Sequence, residues 1–204
     1  MSSHETTDIT ADEALERLKS GNERFVAGTA KFLPVPKETL ADLASGQQPY
    51  ATILSCSDSR VPPELIFDVG FGELFIIRVA GNVISPEVAG SLQYAKCHLQ
   101  TPLFIVLGHS GCGAVAASID TRLRGTQQLS RIQILVDSIM PGLAELDLQL
   151  SPETLLAQAV EANVRWSIRQ IRESSEGREY RAEGRAKLIG AIYDIETGRV
   201  QFLE

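Results

Sequence analysis

Three short and almost unbroken apolar runs, Ala51–Ser55, Leu74–Val79 and Leu103–Leu107, constrain the fold of this chain more than any other feature. A strand with one wet face alternates apolar and polar side chains. Runs rich in β-branched residues that do not alternate belong instead to strands covered on both faces, as in a parallel sheet. The segments between them carry helical signals. Pro62–Phe67 reads as a short helix, and Ser85-Pro86 as an N-cap with a first-turn proline opening a helix to about His98. Residues 111–124, 127–139 and 152–173 give further helices. Leu188–Ile195 reads as a strand, with Thr197-Gly198 as a turn and Val200–Leu203 as a short partner. The alternation predicts an α/β fold: a mostly parallel central sheet flanked by helices, with right-handed crossovers.

Upstream, Thr10-Ala-Asp-Glu13 is a capping-box pattern, and Ala14, Leu15, Leu18, Phe25 and Val26 follow at helical spacing. A helix from Asp12 to Ala27 is expected, ending at Gly28, and Pro36 opens a second that stops near Gly46. Residues 1–45 thus form a helical arm ahead of the sheet. Thr29–Lys37 and Ser174–Gly184 are expected to be irregular. No repeat or low-complexity linker divides the 204 residues, so one domain over 1–204 is expected.

Charge and hydropathy exclude several classes of function. With 19 Lys and Arg against 26 Asp and Glu, the net charge of −7 gives no overall footprint for nucleic acid. Arg165, Arg169, Arg172, Arg178, Arg181 and Arg185 interleave with Glu161, Glu173, Glu176, Glu179 and Glu183, the pattern of a solvated or interface helix face. No apolar run approaches the ~18 residues needed to cross a bilayer. Residues 1–10 carry no charged-then-apolar signal, so a cytoplasmic protein is expected. The cysteines are three, Cys56, Cys97 and Cys112, which argues against a disulfide framework and for metal binding or reactive chemistry.

Two segments carry that chemistry. Cys56-Ser-Asp58-Ser-Arg60 follows the first apolar run, and His109-Ser-Gly-Cys112-Gly113 follows the third. Both lie past the carboxyl ends of expected parallel strands, where open α/β sheets place their sites. If the two strands are neighbours, Cys56, Asp58, His109 and Cys112 converge. Two thiolates and an imidazole suit zinc, with a carboxylate or water completing the set. Gly111 and Gly113 permit a tight turn that points His109 and Cys112 inward. Arg60 is close enough to pair bidentately with Asp58. If Arg60 holds Asp58 away, a water occupies the fourth position and zinc lowers its pKa toward ~7, which gives a hydroxide nucleophile. If Asp58 swings onto the metal, the site is closed.

At this point the residues resemble the β-class carbonic anhydrases. The similarity runs from about Gly46 to Ala117, through Val61-Pro62, Gly72-Glu-Leu-Phe75, Arg78 and Ala80-Gly-Asn82. Ile192-Tyr-Asp194 with Thr197-Gly198 is similar to the family's last strand, and Leu18, Gly21-Asn22 and Phe25 to its N-terminal helices. The resemblance implies a zinc enzyme, one ion per chain, hydrating carbon dioxide reversibly to bicarbonate and a proton. It also implies a homodimer or higher homo-oligomer whose N-terminal arm packs on the partner. Cys56, His109 and Cys112 would be the metal ligands, with Asp58 and Arg60 as a catalytic, gating pair. Gln47, Phe75, Ala80, Tyr94 and Gly113 match substrate-pocket positions. Ala80 stands where many members carry Val, and Ile53 where one subgroup carries a Trp of an inhibitory bicarbonate site, although Arg78 of that site is present.

Other readings stand beside these. The same scaffold could hydrolyse carbonyl sulfide or carbon disulfide, or a permanently four-coordinate zinc could stabilise a regulatory protein. Cys97 is assigned to a buried small residue, His98 to the surface near a helix end, and Trp166 to a packing anchor. Ser55 and Ser110 lack a His–carboxylate relay beside them, which argues against nucleophilic roles.

Overall fold

A computed structural model describes residues 9–31, 36–184 and 186–203. Helix α1, Ala11–Val26, begins at a complete capping box in which Thr10 and Glu13 bond each other's backbone. A short α2, Lys37–Leu43, leads to β1, Ala51–Ser55. After α3, Pro63–Ile66, come β2, Leu74–Arg78, and a 3₁₀ turn, Ala80–Asn82. Helix α4, Pro86–Tyr94, is capped by Ser85 and ends in a π-turn, Ala95–Leu99. Strand β3, Leu103–His109, is followed by α5, Gly113–Arg124, α6, Ser130–Ile139, and the long α7, Pro152–Glu173. Helix α8, Ser175–Glu183, and strands β4, Lys187–Tyr193, and β5, Val200–Leu203, complete the order.

The sheet order is β2-β1-β3-β4-β5, with the first four strands parallel and β5 antiparallel to β4. The unbroken apolar runs have the expected physical origin, since successive side chains enter different cores. Ile53, Ile105 and Leu107 pack with Leu15 and Leu18 of α1 and Ile66 of α3. Leu54, Phe104 and Val106 pack with Val88 and Leu92 of α4 and Val164 and Ile168 of α7. Chain direction across the sheet reverses between β1 and β3, because β2 lies to one side of β1 and β3 to the other. That switch point opens a crevice at the carboxyl ends of the strands.

Three sequence expectations are corrected. Residues 174–184 are helical rather than irregular over Ser175–Glu183. Ser174 caps the helix by accepting from the Gly177 N–H, and a Cβ on Gly177 would lie 1.8 Å from the Ile171 carbonyl oxygen. The turn-back from α7 therefore depends on a glycine, and the charged helix lacked the apolar periodicity that would have revealed it. Cys97 is exposed rather than buried, because the π-turn that ends α4 rotates it outward. Helix α5 begins at Gly113, with Cys112 as its N-cap residue, rather than at 111. Within Thr29–Lys37, residues 32–35 lie outside the described residues, and Lys37 already opens α2. His98 is exposed, as expected, with its ring 4.8 Å from that of Tyr94. Trp166 anchors α7 by donating from Nε1 to the Ser138 carbonyl at 2.9 Å.

Helix α7 rides close on β3 at Gly108, where a Cβ would lie 2.5 Å from Val164 Cγ2 and 3.3 Å from Val160 Cγ1. Gly108→Ala is therefore expected to destabilise the fold by about 1–3 kcal/mol through overpacking. Thermal unfolding should register this as a fall of roughly 2–4 °C in Tm per kcal/mol. An unchanged Tm would show that α7 can move away freely. No helix among the described residues is long and apolar enough to cross a membrane.

Candidate metal centre

Parallel pairing sets Ser55 of β1 opposite Leu107 of β3, so Cys56 leaves the sheet at the level where β3 continues to His109. Cys112 follows three residues later, at the start of α5, after a turn through Gly111 at φ +66°. The ligand atoms of Cys56, His109 and Cys112 all lie within 4.8 Å of one another, and all three residues are buried. Tetrahedral zinc with N and S ligands spaces its donor atoms by about 3–4 Å, so rotamer-scale adjustment suffices to close this set on an ion.

His109 supplies the test of fit. Its ring lies within 2.9 Å of the Ser110 carbonyl through Nδ1. A carbonyl only accepts, so Nδ1 carries the proton and Nε2 presents a lone pair. Nε2 is buried and has no hydrogen-bond partner among the described atoms. A buried unpaired acceptor facing two cysteine sulfurs is what a metal ligand requires. The thiols point the same way. The Cys56 thiol is drawn well below the usual range, first by a hydrogen bond with Cys112. The Cys112 thiol is pushed up, first by that same bond and then by burial. Cysteines ligate as thiolates, so a metal that takes both must displace the protons they still hold. Apparent zinc affinity should therefore rise with pH near neutrality, with protons released on binding. Isothermal titration in buffers of differing ionisation enthalpy measures this, and a pH-independent affinity would contradict it.

Asp58 and Arg60 sit beside the cluster in a forked pair. Arg60 donates from Nε to Oδ1 at 2.9 Å and from Nη2 to Oδ2 at 2.7 Å, and its backbone N–H adds a third bond to Oδ1 at 3.0 Å. These bonds hold the Asp58 carboxyl far below the ordinary carboxylate range, against the opposing effect of burial. Oδ2 lies 3.9 Å from His109 Nε2. Arg78, at the end of β2, donates to the Cys56 carbonyl at 3.0 Å and to the Asp58 carbonyl, and so fixes the loop that carries both residues. Residue spacing carries no sign of that brace, nor of the Gly81 N–H, which donates to Cys56 Sγ at 3.4 Å.

The remaining pocket positions divide into two groups. Ala80 opens the 3₁₀ turn beside Cys56, and Gly113 is the exposed first residue of α5, next to Cys112. Gln47 is exposed just before β1, at the opposite end of that strand from Cys56. Phe75 lies on edge strand β2, its ring 6.0 Å from that of half-exposed Tyr94 on α4. Within one chain Gln47 therefore lies away from Cys56, and Phe75 pairs with Thr52, three residues short of the end of β1.

A parallel α/β sheet carrying two cysteines and a histidine at its switch point defines a metalloprotein with a Cys₂His centre. The comparisons with known proteins agree. The carbonic anhydrase family model matches residues 51–200. Carbonic anhydrase 2 of Mycobacterium tuberculosis is 38% identical over 188 residues, covering 91% of this chain and 89% of that one. The carbonic anhydrase of Mycolicibacterium smegmatis is 34% identical over 192 residues, covering 92% and 91%. Among solved structures, the β-carbonic anhydrase CcaA superposes with a TM-score of 0.74 at 27% identity, covering 93% of this chain and 95% of that one. CafA of Aspergillus fumigatus superposes at 0.75 and 28%, covering 91% and 88%. The chain belongs to the β-carbonic anhydrase family, and its cofactor is zinc.

Proposed function

We propose that this chain hydrates carbon dioxide reversibly to bicarbonate and a proton, with one zinc ion per chain held by Cys56, His109 and Cys112. The observation that carries the reading is the buried, unpartnered His109 Nε2 facing two sulfurs at the switch point of a carbonic anhydrase fold. Zinc held there acidifies water toward a pKa of ~7 and so supplies a nucleophile near neutral pH. The chain's own residues do the rest. Arg60 keeps Asp58 ionised and turned away from the cluster. A carboxylate of such low basicity accepts a hydrogen bond from the reacting water, orienting it, but does not remove its proton. If Arg60 lets go, Oδ2 needs only a short swing to reach the ligand cluster and close it, and that is the gate. Ala80 would wall the pocket, and Gly113 at the start of α5 would offer its N–H to substrate oxygen.

Gln47, Phe75 and Tyr94 enter this reading as groups delivered by a second copy. Phe75 and Tyr94 lie at the β2 edge of the sheet and Gln47 is exposed, so a dimer formed on that side can present them. Two reduced thiolates as ligands suit a cytoplasmic setting.

Stopped-flow hydration at mildly alkaline pH, with zinc measured on the same sample, tests the function. Activity at about one zinc per chain is expected from a site of three protein ligands. Zinc without hydration would overturn the reading, and parallel assays with carbonyl sulfide and carbon disulfide would then decide between a different substrate and a structural metal.

A further inference from the structure

We propose that Asn163 and Ser167, two buried side chains of α7, are positioning residues of the metal centre, clamping the Gly81 and Asn82 carbonyls and so holding the Gly81 N–H on the Cys56 sulfur. The inference rests on the reading of Cys56, His109 and Cys112 as a zinc site.

The turn that needs holding is Ala80–Asn82. Gly81 has φ 69° and ψ 16°, and Asn82 has φ 46°, so two consecutive residues are left-handed. Asn82 lies in the left-handed region, which asparagine enters more readily than most L-residues but which still favours glycine. A side chain at Gly81 would be strained by its φ and would crowd Ile139 Cδ1 at 2.7 Å and Ala114 Cβ at 3.1 Å. One backbone bond, from the Asn82 N–H to the Val79 carbonyl at 2.9 Å, supports the turn. The rest comes from α7. Asn163 Nδ2 donates to the Gly81 carbonyl at 2.8 Å, and Ser167 Oγ donates to the Asn82 carbonyl at 3.0 Å. Four residues apart, they share one helix face, and both are essentially inaccessible, at 1% and 0% exposure.

The held turn aims the Gly81 N–H at Cys56 Sγ, 3.4 Å away. An N–H directed at a ligand sulfur withdraws charge from it and fixes its direction, the means by which outer groups tune a metal. The chemistry at position 163 argues for this role over packing. Asn163 Oδ1 is buried with no partner among the described atoms, so the carboxamide leaves one acceptor unmet. Leucine has the same heavy-atom branching and no polar atom of its own to satisfy. The residue is unfavourable as filling and explicable as a donor.

Asn163→Leu and Ser167→Ala test the clamp. Zinc affinity is read by competition with a chromophoric chelator, ligand geometry by the absorption of the cobalt(II)-substituted protein, and packing by thermal unfolding of the zinc-free protein. Asn163→Leu, which leaves the Gly81 carbonyl unpaired, is expected to weaken zinc binding about 10–100-fold, a larger effect than its fall in zinc-free stability. The sulfur-to-cobalt band should move to lower energy, since a sulfur relieved of a hydrogen bond gives up an electron more readily. Ser167→Ala, which removes a single atom, should act in the same direction and more weakly, and it carries the test if the leucine variant does not fold. Affinity within twofold of the parent with an unmoved band overturns the proposal. So does an affinity loss matched by an equal fall in zinc-free stability, or loss of the fold in both variants. A parent protein that binds no zinc overturns the site and the clamp together, whereas parent and variants binding equally well overturn the clamp alone.

Discussion

Replacing Cys112 with alanine should empty the centre of zinc and lower carbon dioxide hydration by at least about three orders of magnitude, because the acidification of water from a pKa of 15.7 to about 7 is lost with the ion. The chain brings three ligands together, and a site reduced to Cys56 and His109 keeps only two of them. The fold should survive the change. Cys112 is buried against Val115, Leu143 and Val160, and alanine removes only the sulfur from that cluster. Circular dichroism should match the parent while metal analysis finds no zinc. A variant that keeps one zinc and a rate within tenfold of the parent would refute the ligand assignment.

Asp58→Asn should separate metal binding from catalysis. Asparagine keeps the shape of the side chain but loses the charge that pairs with Arg60, so zinc should remain bound. The hydration rate should fall about 10²- to 10³-fold, the size of effect found when one positioned polar group is deleted. The pH dependence follows from the direction of the Asp58 shift. Its carboxyl in the folded chain titrates below the ordinary aspartate value of about 3.9, first because Arg60 bonds it. The pair therefore contributes stability above that ordinary value and loses it as pH falls through the lower folded value. Asp58 stays ionised throughout the neutral range, so no step in the parent's rate near neutrality belongs to it. Arg60→Gln should raise the carboxyl back toward its ordinary value and free it to swing onto the cluster, giving a zinc-loaded but slow enzyme. A fully active Arg60→Gln protein would remove the gate from the mechanism.

Much of the architecture was legible because it is written in local patterns. Ala51–Ser55 matches β1 residue for residue, and the Thr10–Glu13 box starts α1 where expected. Each signal depends on side chains a few positions apart. The Cys56, His109 and Cys112 cluster was legible for another reason: ligand types are few, and two motifs at the ends of strands in a parallel sheet have one place to meet. Helix α8 escaped because it is almost wholly charged and polar and turns back on a glycine. The bracing roles of Arg78, Asn163 and Ser167 escaped because they act on backbone carbonyls, which any sequence offers at every position. Their partners depend on how α7 and the end of β2 lie against the site. The exposure of Cys97 depends on one π-turn, which no spacing rule announces.

The pairing of β1 with β3 also sets an order of events as the chain folds. His109 and Cys112 are neighbours along the chain and form half a site as soon as their own turn is made. Cys56 comes from roughly fifty residues upstream and joins them only after that loop has closed, and the entropy of closure must be met before the contact yields anything. An ion offered before that closure would meet two of the three ligands. Tight capture would follow the pairing of the central strands, so bound zinc would report completed folding rather than nucleate it.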